Sequence, residues 1–165
     1  MSLQFNNEQM TKFKSLVARY PEGKQKSALL PVLHLAQDSF GGWLPTEAMD
    51  YVASLLEIEP IEVYEVATFY TIFHLNPVGK NVLEVCRTGP CQLVGSDDLI
   101  AYIEEKLDIK VGETTKDGLF TLKTVECLGA CGYGPMLMCK YQFYERLTKE
   151  KVNEMLDAMR EASKS

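Results

Sequence analysis

A chain of 165 residues and 18.6 kDa, 46% apolar and 24% charged, has globular proportions, with core enough for one ordinary domain or two small packed units. Its formal charge of −6 and pI near 5.0 come without a basic run, which argues against nucleic acid as a partner. No stretch approaches the roughly 18 consecutive apolar residues that read as a membrane span. The opening Met1-Ser2-Leu3-Gln4-Phe5-Asn6-Asn7-Glu8 lacks the marks of a secretory signal or an Arg-rich transit peptide, so a reducing compartment is expected.

The first half reads as helices. From Glu8 to Tyr20, Met10, Phe13, Leu16 and Val17 fall on one face, with Asn6 or Asn7 as a cap, and Pro21-Glu22-Gly23 ends the run. A second helix is predicted from Ser27 to Ser39, apolar nearly all round and therefore buried, with Pro31 early enough for the first turn or a kink. After the loop Phe40-Gly41-Gly42-Trp43, Pro45 to Glu57 is a third helix with Met49, Val52, Leu55 and Leu56 inward. Pro60 opens a fourth, running through Val63, Val66, Ala67, Tyr70 and Phe73. Trp43 and Tyr70 are candidates for a partner-facing surface, although aromatics at helical spacing more often serve the core.

His74-Leu75-Asn76-Pro77-Val78-Gly79-Lys80 is turn-forming and sets the predicted boundary between a helical bundle, residues 1–76, and a second domain, residues 77–165. Beyond it come a strand from Val82 to Cys86, an amphipathic helix from Ser96 to Leu107 and a strand from Phe120 to Glu126. Met136 to Cys139 is a third strand, too continuously apolar for an edge. A turn near Lys140 leads to a short fourth strand, and a last helix from Lys149 to Arg160 buries Val152, Met155, Leu156 and Met159. The order predicts an α+β chain with a small helix-covered sheet.

Four of the five cysteines form two local pairs, Cys86-x4-Cys91 and Cys127-x3-Cys131, each in a glycine-bearing loop directly after a predicted strand. A [2Fe–2S] cluster takes two thiolates on each iron, and two short loops at neighbouring strand ends can supply them. Backbone N–H groups aimed at the sulfurs would offset the negative charge, and Gly89, Gly129 and Gly132 are placed to let the chain curl close. A structural zinc tetrathiolate uses the same ligands and stays open, although the usual spacing of two is not seen. A disulfide framework fits a reducing compartment poorly, and a dithiol redox motif lacks its Cys-x-x-Cys. Cys139 lies inside an apolar strand and reads as core packing. His34 and His74 lack ligand-spaced partners and read as structural. Gly132-Tyr133-Gly134 is no dinucleotide loop, and no P-loop or nucleophile elbow occurs. Electrons for a redox centre must therefore come from a partner chain.

At these residues the chain resembles the E-type (24 kDa-type) subunit family of NADH:quinone oxidoreductase, respiratory complex I. The likeness runs through Pro77-Val78-Gly79-Lys80 and the first cysteine loop, then Val111-Gly112-Glu113-Thr114-Thr115, Leu119-Phe120-Thr121-Leu122 and Glu126-Cys127-Leu128-Gly129-Ala130-Cys131. Gly134-Pro135-Met136, Tyr144-Glu145 and Leu147-Thr148 continue it. The helical half adds Gly42-Trp43-Leu44-Pro45 and Val63-Tyr64-Glu65-Val66-Ala67-Thr68-Phe69-Tyr70. The resemblance implies a thioredoxin-like ferredoxin domain after a helical bundle, one [2Fe–2S] cluster on Cys86, Cys91, Cys127 and Cys131, and no substrate site on this chain. It implies a flavoprotein partner carrying FMN and the NADH site, further peripheral-arm subunits, and a place on the cytoplasmic side of the inner membrane, or the matrix side in mitochondria. The equivalent subunits of NAD-dependent hydrogenases and formate dehydrogenases share the module. Gly134-Pro135 is the candidate cis peptide of such a fold. Arg87 and Tyr133 depart from the pattern and are candidates for tuning the potential.

Overall fold

The computed structural model describes residues 3–164, which divide into two compact units, one ending at Pro77 and the other beginning at Val78. Among the described residues no helix is long and apolar enough to cross a membrane.

The first unit is four helices, α1 (Asn7–Val17), α2 (Leu29–Ser39), α3 (Thr46–Leu56) and α4 (Pro60–Phe69). Asn6 caps α1 in a reciprocal box: its side chain accepts the Gln9 N–H at 2.9 Å, and the Gln9 side chain accepts the Asn6 N–H at 2.8 Å. Asn6→Ala is expected to destabilise this unit by about 1 kcal/mol, read as a lower urea midpoint followed by far-UV circular dichroism. The chain leaves α1 after Val17 in looser turns, Tyr20 N–H bonding to Val17 C=O at 3.1 Å, and so ends the helix earlier than its apolar pattern predicts. A single 3₁₀ turn, Gln25–Ala28, precedes α2 and brings Pro31 into the first helical turn, where its missing N–H would be unpaired in any case.

Val32, Leu33 and Ala36 of α2, Ala48, Val52 and Leu56 of α3, and Val63 and Ala67 of α4 are buried together around Leu44. The predicted fourth helix through Phe73 stops at Phe69. Gln37 explains why: its side chain donates to Ile72 C=O at 3.1 Å and accepts the His74 N–H at 2.7 Å, while His74 C=O accepts the Leu44 N–H at 2.8 Å. These bonds hold residues 72–74 in a strap that a helix could not satisfy. Phe73 is buried beneath it, 5.0 Å from the His34 ring, and Tyr70 is 42% exposed.

The second unit carries a four-stranded mixed sheet in the order β2-β1-β3-β4, with β1 Asn81–Cys86, β2 Phe120–Val125, β3 Leu137–Cys139 and β4 Gln142–Tyr144. The inner place of β3 agrees with its apolar sequence. β1 and β2 run parallel, linked through the short α5 (Gly89–Leu93) and α6 (Ser96–Leu107); β3 is antiparallel to β1. The register places Leu83, Val85, Leu122 and Leu137 on one face, where they pack with Leu99 and Ile103 of α6 and Val152 and Leu156 of α7 (Lys149–Ala162). Glu84, Cys86 and Lys123 belong to the other face by the same alternation. The sequence pattern does not reveal α5, whose five residues are too few to show a period.

Candidate metal centre

Parallel pairing decides where the cysteines meet. Cys86, the last residue of β1, lies opposite Val125, the last of β2, so both strands release their loops at the same end of the sheet. Arg87 N–H continues the ladder to Val125 C=O at 3.0 Å, and Cys127 follows two residues later. The strand β3 enters antiparallel beside Val85, and Cys86 N–H bonds to Met136 C=O at 3.1 Å, which brings the 127–136 loop back across the same end. Cys91 sits in α5, fixed by its N–H to Thr88 C=O at 2.9 Å, and Cys131 opens the 3₁₀ turn Cys131–Tyr133.

The thiols come together in two pairs of different character. Cys86 and Cys91 are 2% and 1% exposed and pack with the fully buried Met136 under Leu128 and Ala130. Cys127 and Cys131 are exposed. Burial works to raise the Cys86 thiol, but the Thr88 hydroxyl, the N–H groups of Thr88 and Leu128 and the Cys91 thiol outweigh it and hold it below the ordinary value. Cys91 is pushed up to about 11 by burial and then by Cys86 and Cys131, against the Met136 N–H. The Cys131 thiol is raised by the neighbouring Cys127 charge and, more weakly, by Cys86.

Cys86 and Cys91 share one buried cluster, and Cys131 is close enough to both for a charge on one to oppose a charge on another. The donor set is four soft sulfurs on two loops released at one end of the sheet, so these residues fit an iron–sulfur core, whose metal ions would offset the charge of the ligating thiolates. Among the described residues no three His, Cys, Asp or Glu side chains converge around one point.

Of the three glycines expected to bring N–H groups to sulfur, only Gly129 does so. It adopts φ +76°, open to glycine without strain, and its N–H points to Cys127 Sγ at 3.3 Å. Gly89 and Gly132 have no positive φ, and a Cβ added at either would meet nothing within 4 Å. Gly134 is the glycine whose small size the site uses. The Gly134–Pro135 peptide is cis, and a Cβ at Gly134 would lie 2.9 Å from Val94 Cγ2 and 3.2 Å from Cys91 Sγ.

Arg87 and Glu126, each beside a cysteine, join the two loops at 3.2 Å in an exposed ion pair of little energetic weight. Tyr133 lies under the Arg146 guanidinium, 5.3 Å from ring centroid to Cζ, and its C=O accepts the Arg146 N–H at 2.8 Å. Cys139 stays apart in the sheet core, its thiol pushed up to about 11 by burial. Thr88 is a site residue that the sequence pattern does not single out. Its one signal is a threonine two residues after a cysteine and just before Gly89-Pro90, at a helix-capping position.

Residues 13–160 match the family described as thioredoxin-like [2Fe-2S] ferredoxin. A Rickettsia bellii (strain RML369-C) protein, named as the E subunit of NADH-quinone oxidoreductase, is 47% identical over 156 residues, 94% of this chain and 93% of that one. A Dictyostelium discoideum protein named NADH dehydrogenase [ubiquinone] flavoprotein 2, mitochondrial, is 45% identical over 94% of this chain and 63% of its own length. The fold is shared with a solved NAD+-reducing [NiFe]-hydrogenase in the H2-reduced state, at TM-score 0.70 and 18% identity over 80% of this chain and 22% of that one. The chain thus belongs to the thioredoxin-like [2Fe-2S] ferredoxin family, in company with the E subunits of NADH-quinone oxidoreductase, an oxidoreductase complex.

Proposed function

We propose that this chain is the electron-transfer subunit of an NADH:quinone oxidoreductase, holding one [2Fe–2S] cluster on Cys86, Cys91, Cys127 and Cys131. The observation that carries the reading is the release of both cysteine loops at one end of a parallel strand pair, with Cys86 and Cys91 buried there in one cluster. When bound, the cluster supplies reversible one-electron chemistry. The chain's own part is to fix four sulfurs on two loops, bury one pair, and direct the N–H groups of Leu128, Met136 and Gly129 at sulfur. Residues 1–76 form the helical domain of this subunit and residues 77–165 the cluster domain. NADH oxidation falls to a flavoprotein partner carrying FMN, with the assembly on the cytoplasmic face of the membrane, or the matrix face in mitochondria.

Anaerobically purified chain is expected to hold two iron and two acid-labile sulfide per molecule and to give a low-temperature EPR signal on reduction. Colourless protein holding one zinc, without that signal, would replace the reading by a zinc-stabilised module. Co-purification with a flavin-containing protein tests the partner.

A further inference from the structure

Thr88 occupies the N-cap of α5, where a threonine hydroxyl ordinarily accepts an N–H from the first helical turn. That cap bond is absent, and the hydroxyl lies 3.2 Å from Cys86 Sγ. The backbone holds the residue in place without its side chain, since Thr88 C=O accepts the N–H groups of Cys91 at 2.9 Å and Gln92 at 3.0 Å. The hydroxyl is therefore free of a structural duty at the helix start and is turned to the sulfur of a residue that is 2% exposed.

A thiol and a hydroxyl can each donate, but a metal-bound thiolate has no proton, so toward a ligating Cys86 the hydroxyl must be the donor. We infer that Thr88 is a positioning residue that raises the reduction potential of the site by donating its hydroxyl proton to the Cys86 sulfur. The inference rests on the assignment of the four cysteines to a [2Fe–2S] cluster. Reduction adds one negative charge that the sulfurs share. A fixed O–H dipole, in surroundings made apolar by Met136 and Leu128, favours the more negative state. The other buried ligand, Cys91, receives a backbone N–H from Met136, which no side-chain substitution removes, so Thr88 is the adjustable donor of the buried pair.

The test uses the full chain with its cluster, comparing the unsubstituted protein with Thr88→Val, Thr88→Ala and Thr88→Ser by EPR-monitored redox titration. Iron and sulfide are measured on the same samples. Thr88→Val keeps the shape and removes the hydroxyl. It is expected to retain full iron and to move the reduced-to-oxidised ratio at a fixed poise about tenfold toward oxidised, which is ~59 mV for one electron. Thr88→Ala should move the same way, and Thr88→Ser should return the potential to the unsubstituted value. An unchanged potential in Thr88→Val with full iron would overturn the role of Thr88 and leave the cluster assignment standing. An equal fall in Thr88→Ser and Thr88→Val would overturn it too, by assigning the effect to packing. If Thr88→Val loses iron, the alanine and serine variants carry the same comparison. Absence of iron and sulfide from the unsubstituted chain would instead overturn the cluster assignment, before any variant is compared.

Discussion

Cys127→Ala is expected to lose the cluster while leaving the metal-free fold nearly unchanged, and Cys139→Ala is expected to do the reverse. Cys127 is exposed, on a loop after β2, and accepts the Gly129 N–H within its own turn. Its removal leaves Cys131 as the lone thiol of the outer pair, which breaks the two-thiolates-per-iron arrangement. An exposed loop substitution of this kind changes the stability of metal-free protein by less than about 0.5 kcal/mol. Cys139 is 2% exposed within the sheet core, in one cluster with Leu137 and Leu156. Truncating it opens a small void, a loss of about 1 kcal/mol, with no ligand removed. Iron and sulfide content with visible circular dichroism reads the first effect, and urea denaturation of metal-free protein reads the second. Equal loss of iron from both variants would mean that Cys139 belongs to the site.

The two readouts are expected to separate because Cys127 lies in an exposed loop after β2 and Cys139 in the packed core of the sheet, and β1 divides chemistry from packing in the same way. In β1, Leu83 and Val85 face α6 and α7, while Cys86 falls on the alternate face and ends the strand. The strand itself is visible in the sequence, as are the helices with several turns and an apolar stripe. The cysteine pairing is legible too, because strand-then-loop occurs twice with the thiols in the loops. The sequence pattern fails where a distant partner overrides local preference. Gln37 holds residues 72–74 out of α4 across 35 to 37 positions, which no local window contains. It fails again at Thr88, whose residue type signals a cap but whose hydroxyl turns to sulfur. Glycine roles are obscured for a related reason. Gly89, Gly129 and Gly132 all neighbour cysteines in sequence, but only Gly129 bends an N–H to sulfur, and the glycine the site needs for space, Gly134, touches a cysteine 43 positions away.

Gly134→Ala is accordingly expected to reduce iron content by more than half, whereas Gly132→Ala, two residues earlier, should hold iron like the unsubstituted chain. The added methyl at Gly134 meets Val94 Cγ2 at 2.9 Å, Cys91 Sγ at 3.2 Å and Cys91 Cα at 3.6 Å. Val94 is half exposed and can give way, although its β-branched side chain has few rotamers to move into. Cys91 has less freedom, being buried and tied to Thr88 C=O through α5. The strain therefore passes to the sulfur of Cys91, one of the four proposed ligands, and overpacking of this kind costs about 1–3 kcal/mol. At Gly132 nothing lies within 4 Å of an added Cβ, and its φ is not positive, so alanine fits there. The double variant Gly134→Ala with Val94→Ala removes the 2.9 Å contact and keeps the one to sulfur. Persistent iron loss in the double variant assigns the damage to Cys91, and recovery assigns it to Val94. Full iron with an unchanged spectrum in the single variant would show that the two loops yield to a methyl group, and would remove Gly134 from the residues that shape the site.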